Sequence, residues 1–160
     1  KTISLVKEIR ERVPGIAIRT TLITGYPGET ENDVEELKEF VAVTKFDRLG
    51  VFTYSHEENT SAFKLRDDVP AEVKQHRASE IMEIQQKISR KRNQMNVGKN
   101  LRVLFDRKEG GYFYGRTEFD SPEVDNEVRV DAKKNFVRTG DFAQVRIISA
   151  EDYDLFGEII

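Results

Sequence analysis

Near residue 95 the hydrophobic pattern of this 160-residue chain changes period, so no single layer architecture accommodates both of its parts. Upstream, apolar residues recur every three or four positions and are interrupted by short β-branched runs. Downstream, short strands and turn residues are all that remain. Ile3, Val6, Ile9 and Val13 place one apolar face on a first helix, stopped by Pro14-Gly15. Residues 16–24 read as a strand. Thr30 and Asp33 have the spacing of a capping box, and Val34, Leu37, Phe40 and Val41 give the helix that follows its stripe. Residues 49–54 read as a second strand, and residues 55–60 as a polar loop. A third helix is expected from about Pro70 to about Met95, with Val73, Ile81, Ile84 and Ile88 on its buried side.

The order helix, strand, helix, strand, helix implies parallel strands joined by helical crossovers. Two parallel strands alone leave faces and edges uncovered. Residues 1–94 are therefore expected to end a larger α/β sheet or barrel, and the chain to be a fragment of a longer protein. Beyond residue 95, strands are expected at residues 101–105, 112–114, 128–130, 143–148 and 153–159, with Gly110-Gly111 as one of the turns. Five such strands without a helical pattern predict a five-stranded antiparallel OB-like barrel over residues 95–160.

Composition removes whole classes of chemistry. The absence of cysteine excludes disulfides, thiolate zinc sites, cysteine nucleophiles and iron–sulfur clusters ligated by these residues. Two histidines do not make a His-rich metal site, and no metal ligands are expected. No apolar run approaches the ~18 residues of a membrane span, and nothing resembles a secretory leader, so a soluble, cytoplasmic protein is expected. The net charge of −3 falls entirely on residues 95–160, which carry ten Lys or Arg and thirteen Asp or Glu. An acidic barrel suits a phosphate backbone poorly and a basic protein well.

The segment richest in chemistry is Arg19-Thr20-Thr21-Leu22-Ile23-Thr24-Gly25-Tyr26-Pro27-Gly28-Glu29-Thr30. Strand alternation puts Arg19, Thr21 and Ile23 on one face and Ile18, Thr20 and Leu22 on the other. Arg19 and Thr21 do not suit a helix-covered face, so they are placed toward a barrel interior. Gly25 and Gly28 let backbone approach a ligand closely at the carboxyl end of a strand, where α/β folds bind ligands. A tight turn and nothing more is the alternative. Glu29 also suits the nearby helix N-terminus without any ligand. His56, Glu57 and Glu58 are adjacent in sequence and do not converge on an ion. His76 and Glu80 read as a solvated helical pair, and Arg90-Lys91-Arg92 as complement to a helix C-terminus.

Residues 20–30 closely resemble the fifth-strand signature of the radical S-adenosylmethionine methylthiotransferases. Val51-Phe52-Thr53-Tyr54-Ser55 with Thr60-Ser61-Ala62 is similar to the sixth strand and its loop, with Asn59 standing where Gly is usual. Pro70, Val73, Arg77 and Gln85 fit the last barrel helix of that family. The end of the chain resembles the TRAM domain, through Gly98-Lys99, Val103, Asp106, Tyr114-Gly115-Arg116-Thr117, Gly140-Asp141-Phe142 with Val145, and Asp152-Tyr153-Asp154-Leu155. Residues 115–128 are similar to the ribosomal-protein-modifying (RimO-type) branch, whose pattern is Gly-Arg-x-x-x-Asp-x-Pro-Glu-Ile-Asp, rather than to the tRNA-modifying branch.

The resemblance implies an α/β plus all-β chain, with the last βα units of a partial (βα) radical-SAM barrel in residues 1–94 and a TRAM barrel in residues 95–160. It implies S-adenosylmethionine and two 4Fe-4S clusters in the full-length protein, none of them expected bound to this fragment, which lacks the cluster cysteines and is expected to be inactive alone. By the same resemblance Gly25, Tyr26, Pro27, Gly28, Phe52 and Tyr54 would line the S-adenosylmethionine, with Arg19 and Thr21 as polar contacts facing the lumen. Arg116, Asp120, Glu123 and Asp125 would dock the substrate. The reaction implied is methylthiolation of an Asp β-carbon in small-subunit ribosomal protein twelve, a basic partner, started by a 5′-deoxyadenosyl radical. A tRNA methylthiotransferase and a non-enzymatic TRAM module that binds RNA or the ribosome are the alternatives. Tyr112, Phe113 and Tyr114 cannot all stack on a ligand, because alternation sends one face into the core, where Phe113 is expected.

Overall fold

A computed structural model describes residues 1–122 and 124–160, which separate into two units, Lys1–Ile88 and Ser89–Ile160. In the first unit, helix α1 (Thr2–Arg12) precedes strand β1 (Arg19–Thr24), helix α2 (Glu31–Thr44) and strand β2 (Arg48–Thr53). A 3₁₀ turn at Ser61–Lys64, capped by the Thr60 hydroxyl, follows before helix α3 (Ala71–Gln94), whose last turns count with the second unit. The two strands pair in parallel, Arg19 opposite Arg48 through Thr24 opposite Thr53, as the helical crossover between them requires. Both begin within three residues of the positions expected from the sequence.

The capping box forms. The Thr30 hydroxyl accepts the Asp33 N–H (3.3 Å), and the Asp33 carboxylate accepts the Thr30 N–H (2.8 Å). The Thr30 hydroxyl and N–H together hold the Asp33 carboxyl below its ordinary value. Thr30→Ala is expected to cost about 1 kcal/mol, read as a lower urea midpoint for the first unit.

The sheet is covered on one face. Ile18, Leu22, Leu49 and Val51 pack with Val6, Val41, Phe46 and Ile81. The opposite face carries Arg19, Thr21, Ile23, Gly50 and Phe52, with Ile23 56 % and Phe52 65 % exposed. The alternation read from the sequence therefore holds. The buried stripe of α3 includes Ile81 as expected and otherwise runs through Lys74, Arg77, Ala78, Gln85, Ser89 and Asn93, while Val73, Ile84 and Ile88 lie half-buried, the last two packed against the core.

The second unit is a closed barrel of β3 (Asn100–Glu109), β4 (Tyr112–Arg116), β5 (Val128–Asp131), β6 (Phe142–Ala150) and β7 (Leu155–Ile159), in the order β3-β4-β5-β7-β6. The expectation of a wholly antiparallel barrel is corrected: β5 and β7 pair in parallel, Val128 opposite Leu155. The cause is strand parity. β6 runs against β3, so β7, returning against β6, has the same direction as β5 when it closes the barrel beside it. Val103, Phe105, Phe113, Val128, Val130, Val145 and Ile147 fill the interior, which places Phe113 in the core as expected. Among the described residues no helix is long and apolar enough to cross a membrane.

Candidate functional site

At the carboxyl end of β1, Thr24 passes into Gly25, whose φ of 76° is left-handed. Tyr26-Pro27-Gly28-Glu29 then makes a turn closed by the Glu29 N–H donating to the Tyr26 carbonyl (2.9 Å). Pro27 supplies a fixed φ at the second position, and Gly28 supplies the φ of 83° at the third that a type II turn needs. Tyr54, just past β2, donates its N–H to the Thr24 carbonyl (2.8 Å) and sets its ring edge-on to Tyr26, centroids 5.4 Å apart. Gly25, Tyr26, Pro27, Gly28 and Tyr54 are thus brought together. Arg19, Thr21 and Phe52 lie on the adjoining open sheet face, where a Cβ at Gly50 would meet nothing within 4 Å.

Desolvation first, then the Asp67 carboxylate, raises the Tyr54 phenol above its ordinary value. Its hydroxyl lies 3.2 Å from His56 Nδ1, and the His56 ring stacks at 4.7 Å on Phe63. The aromatic side chains after β1 and β2 form a chain of ring contacts at the strand ends. Among the described residues no group of three or more His, Cys, Asp or Glu could hold a metal ion.

Residues that the sequence reading did not place in the site hold this turn. Arg77, 5 % exposed, donates to Glu29 Oε1 (2.9 Å) and to Glu31, and Glu29 Oε1 also accepts the Gly25 N–H (2.8 Å). Hydrogen bonding to Glu31 holds the Arg77 guanidinium above its ordinary value, and the same bond holds the Glu31 carboxyl below its own. Asp68 accepts the Gly28 N–H (2.9 Å). Lys74 donates to both oxygens of Asp67 (2.7 Å), and its ammonium stands 5.0 Å from the Tyr54 ring centre. Glu29 therefore closes the turn rather than serving only the helix end. The available signal was spacing: Lys74 and Arg77 share a stripe with Ala78 and Ile81.

The docking candidates lie in the second unit. Arg116 bonds the Asp106 carboxylate across β3 and β4 (3.1 Å). Asp120 is buried and accepts the Thr117 hydroxyl (2.5 Å), and Asp125 accepts the Ser121 N–H (2.8 Å). Glu123 lies outside the described residues. On the barrel exterior, register sets Arg107, Tyr114, Arg129 and Phe156 in one row across β3, β4, β5 and β7. The Arg107 guanidinium lies 4.3 Å and that of Arg129 5.3 Å from the Tyr114 ring centre. Glu127 pairs with Arg107, and Asp154 with Arg129.

Residues 97–160 match the TRAM domain family. Over 158 residues, 99 % of the chain, it is 61 % identical to the ribosomal protein uS12 methylthiotransferase RimO of Flavobacterium psychrophilum, and equally to that of Flavobacterium johnsoniae. Identity to the protein of the same name from Bacteroides fragilis is 52 % over 161 residues. The chain spans 36 % of the length of the two Flavobacterium relatives and 37 % of the third. Across that span the chain is similar to the RimO methylthiotransferases, and its residues 97–160 match the TRAM domain.

Proposed function

We propose that this chain is part of an enzyme that adds a methylthio group to the β-carbon of an aspartate in ribosomal protein uS12 by radical S-adenosylmethionine chemistry. In this reading residues 1–94 are the last βα units of a partial (βα) barrel, and residues 95–160 dock the substrate. The observation that supports it is the one-sided sheet. A parallel sheet buries both faces, yet here the face opposite the helices carries Arg19, Thr21, Gly50 and an exposed Phe52, beside a turn that ends in two aromatic rings. Such a face suits a barrel wall turned toward a ligand-filled lumen.

The open face at Gly50 and Phe52, with Tyr26 and Tyr54 at its end, would hold the adenine, and Arg19 and Thr21 would give polar contacts to the rest of S-adenosylmethionine. The chemistry supplied by the bound cofactor and its clusters is hydrogen abstraction from carbon and delivery of the methylthio group. The ligands for both 4Fe-4S clusters must come from outside these residues, because they contain no cysteine. What the chain itself does is hold the cofactor wall in shape and present the substrate.

For docking, Asp120 holds the Thr117 hydroxyl and Asp125 the Ser121 N–H, and the acidic residues of this stretch of sequence suit a basic partner. Binding of the chain to uS12 and, separately, to tRNA across a salt series tests this. Glu123→Lys combined with Asp125→Asn, which retains an acceptor for Ser121, is expected to weaken uS12 binding several-fold at low salt and less at high salt. Tighter binding to tRNA with a steep salt slope would instead favour the RNA-binding reading. The Arg107–Tyr114–Arg129–Phe156 row is the feature that supports that second reading, as an aromatic and cationic platform. Glu127 and Asp154 neutralise its two cations, which weighs against it.

A further inference from the structure

The turn at residues 25–29 is fixed by charged groups that reach it from α3 and from the segment just before it. Arg77 places its guanidinium against the Glu29 carboxylate and carbonyl (2.9 and 3.3 Å), and the same carboxylate oxygen takes the Gly25 amide. One turn earlier, the stem of Lys74 lies against Gly25, so that a Cβ there would fall 2.2 Å from Lys74 Cγ. The Lys74 ammonium is anchored by Asp67, and its carbonyl accepts the buried Thr24 hydroxyl (3.2 Å). Asp68 takes the Gly28 amide. Lys74 and Arg77 are both nine-tenths or more buried, in a stripe where apolar side chains are the rule.

We infer that Lys74 and Arg77 are positioning residues for the ligand wall. Arg77 acts through Glu29 on the Gly25 amide, and Lys74 acts by packing against Gly25 and the Tyr54 ring. This rests on the reading of residues 25–28 and Tyr54 as part of an S-adenosylmethionine site, and it adds what holds that site and which ligands it refuses. A glycine turn between a strand and a helix is ordinarily a place for phosphate, because free N–H groups point at the anion. Here the N–H groups of both left-handed glycines donate to carboxylates, and Glu29 and Asp68 add negative charge beside them. The turn thus offers no nest to an anion. What it leaves open is the Tyr26 ring, 46 % exposed, beside Tyr54. The ligand class it accepts is a planar neutral or cationic group.

The test follows the Gly25 amide by hydrogen exchange in this chain, and S-adenosylmethionine affinity in the full-length polypeptide that carries it. Arg77→Ala is expected to speed Gly25 exchange about tenfold, the scale of losing a hydrogen bond to a charged group, and to weaken S-adenosylmethionine by a similar factor. Arg77→Lys keeps the charge without the fork and should fall between; it also decides the matter if Arg77→Ala does not fold. Arg10→Ala is the structural control, since Arg10 bonds the Thr44 and Lys45 carbonyls (2.6 and 2.8 Å) after α2. It should lower the melting temperature and leave Gly25 exchange and affinity unchanged. Millimolar pyrophosphate should not compete. Unchanged Gly25 exchange in both Arg77 variants, exchange that rises without loss of affinity, or competition by pyrophosphate would overturn the inference. A wild-type protein that does not bind S-adenosylmethionine defeats the cofactor reading alone, and the exchange data still decide the positioning role.

Discussion

Phe105→Ala is expected to bring residues 89–160 to the edge of unfolding. Phe105 is fully buried at the centre of the closed barrel, with its ring edge-on to Phe113 at 6.3 Å. Gly115 sits so close that a Cβ there would lie 3.1 Å from Phe105 Cδ1 and 2.6 Å from the Leu104 carbonyl oxygen. Backbone this tightly drawn around a ring in a closed sheet has little freedom to collapse into the space it leaves, so the cavity persists. Loss of a buried Phe side chain under those conditions costs about 3–5 kcal/mol, against the ~4–11 kcal/mol that ~0.05–0.15 kcal/mol per residue gives a unit of this size. Urea titration monitored at resolved methyl resonances of Val130 and Ile147 should show the barrel transition displaced to low denaturant or lost, with Val41 and Ile81 reporting a separate transition. Phe105→Leu retains much of the volume and should cost clearly less. A loss below ~1 kcal/mol for Phe105→Ala would mean that the barrel re-closes around the gap, and that its interior is not the rigid core described here.

What the sequence made legible follows from period and capping, both of which are local. The two faces of β1 separate Arg19, Thr21 and Ile23 from Ile18 and Leu22 because a strand has a period of two whatever packs against it. Thr30 and Asp33 announce the start of α2 because their partners are three residues away. Phe113 lies inside because its neighbours Tyr112 and Tyr114 must then lie outside. The direction of β7 was not legible: it depends on which strand closes the barrel, a non-local fact that no run of five residues carries. The stripe of α3 was legible only in part for a related reason. Apolar periodicity points to Val73, Ile81, Ile84 and Ile88, of which Ile81 is fully buried, but the helix also buries side chains that capture distant backbone or carboxylates. Gln85 takes the Phe46 carbonyl, Asn93 takes those of Glu151 and Asp152, and Arg77 takes Glu29. Polar groups are buried when their partners are present, and those partners lie about forty to sixty residues away in sequence. The same holds for Asp120, whose acidic sequence neighbourhood suggested a surface charge until the Thr117 hydroxyl supplied its partner.

Gly25→Ala should abolish ordered binding at the candidate cofactor wall, and comparison with Gly28→Ala separates its two causes. Both glycines have left-handed φ, 76° and 83°, so each alanine carries a backbone cost of roughly 1–2 kcal/mol. At Gly28 that is the whole effect, because a Cβ there meets nothing within 4 Å. At Gly25 the new methyl also falls 2.2 Å from Lys74 Cγ and 2.7 Å from Cδ. A flexible lysine would move aside, but this one is 6 % exposed and bonded at its tip to both Asp67 oxygens. Either Lys74 leaves Asp67, or the turn shifts and the Gly25 amide leaves Glu29. The overpacking adds about 1–3 kcal/mol, and both escapes disorder residues of the candidate wall. S-adenosylmethionine affinity in the full-length protein should therefore fall well over tenfold for Gly25→Ala and only a few-fold for Gly28→Ala. Shortening the obstacle provides the decisive arm: Lys74→Ala in the Gly25→Ala background removes the Cγ and Cδ contacts at 2.2 and 2.7 Å and leaves the 2.9 Å contact with Cβ together with the φ penalty. Asp67 loses its partner there, yet about a third of its side chain reaches water, so its charge remains solvated. The double variant should consequently be more stable than Gly25→Ala alone, a sign reversal that simple addition of two damaging substitutions does not produce.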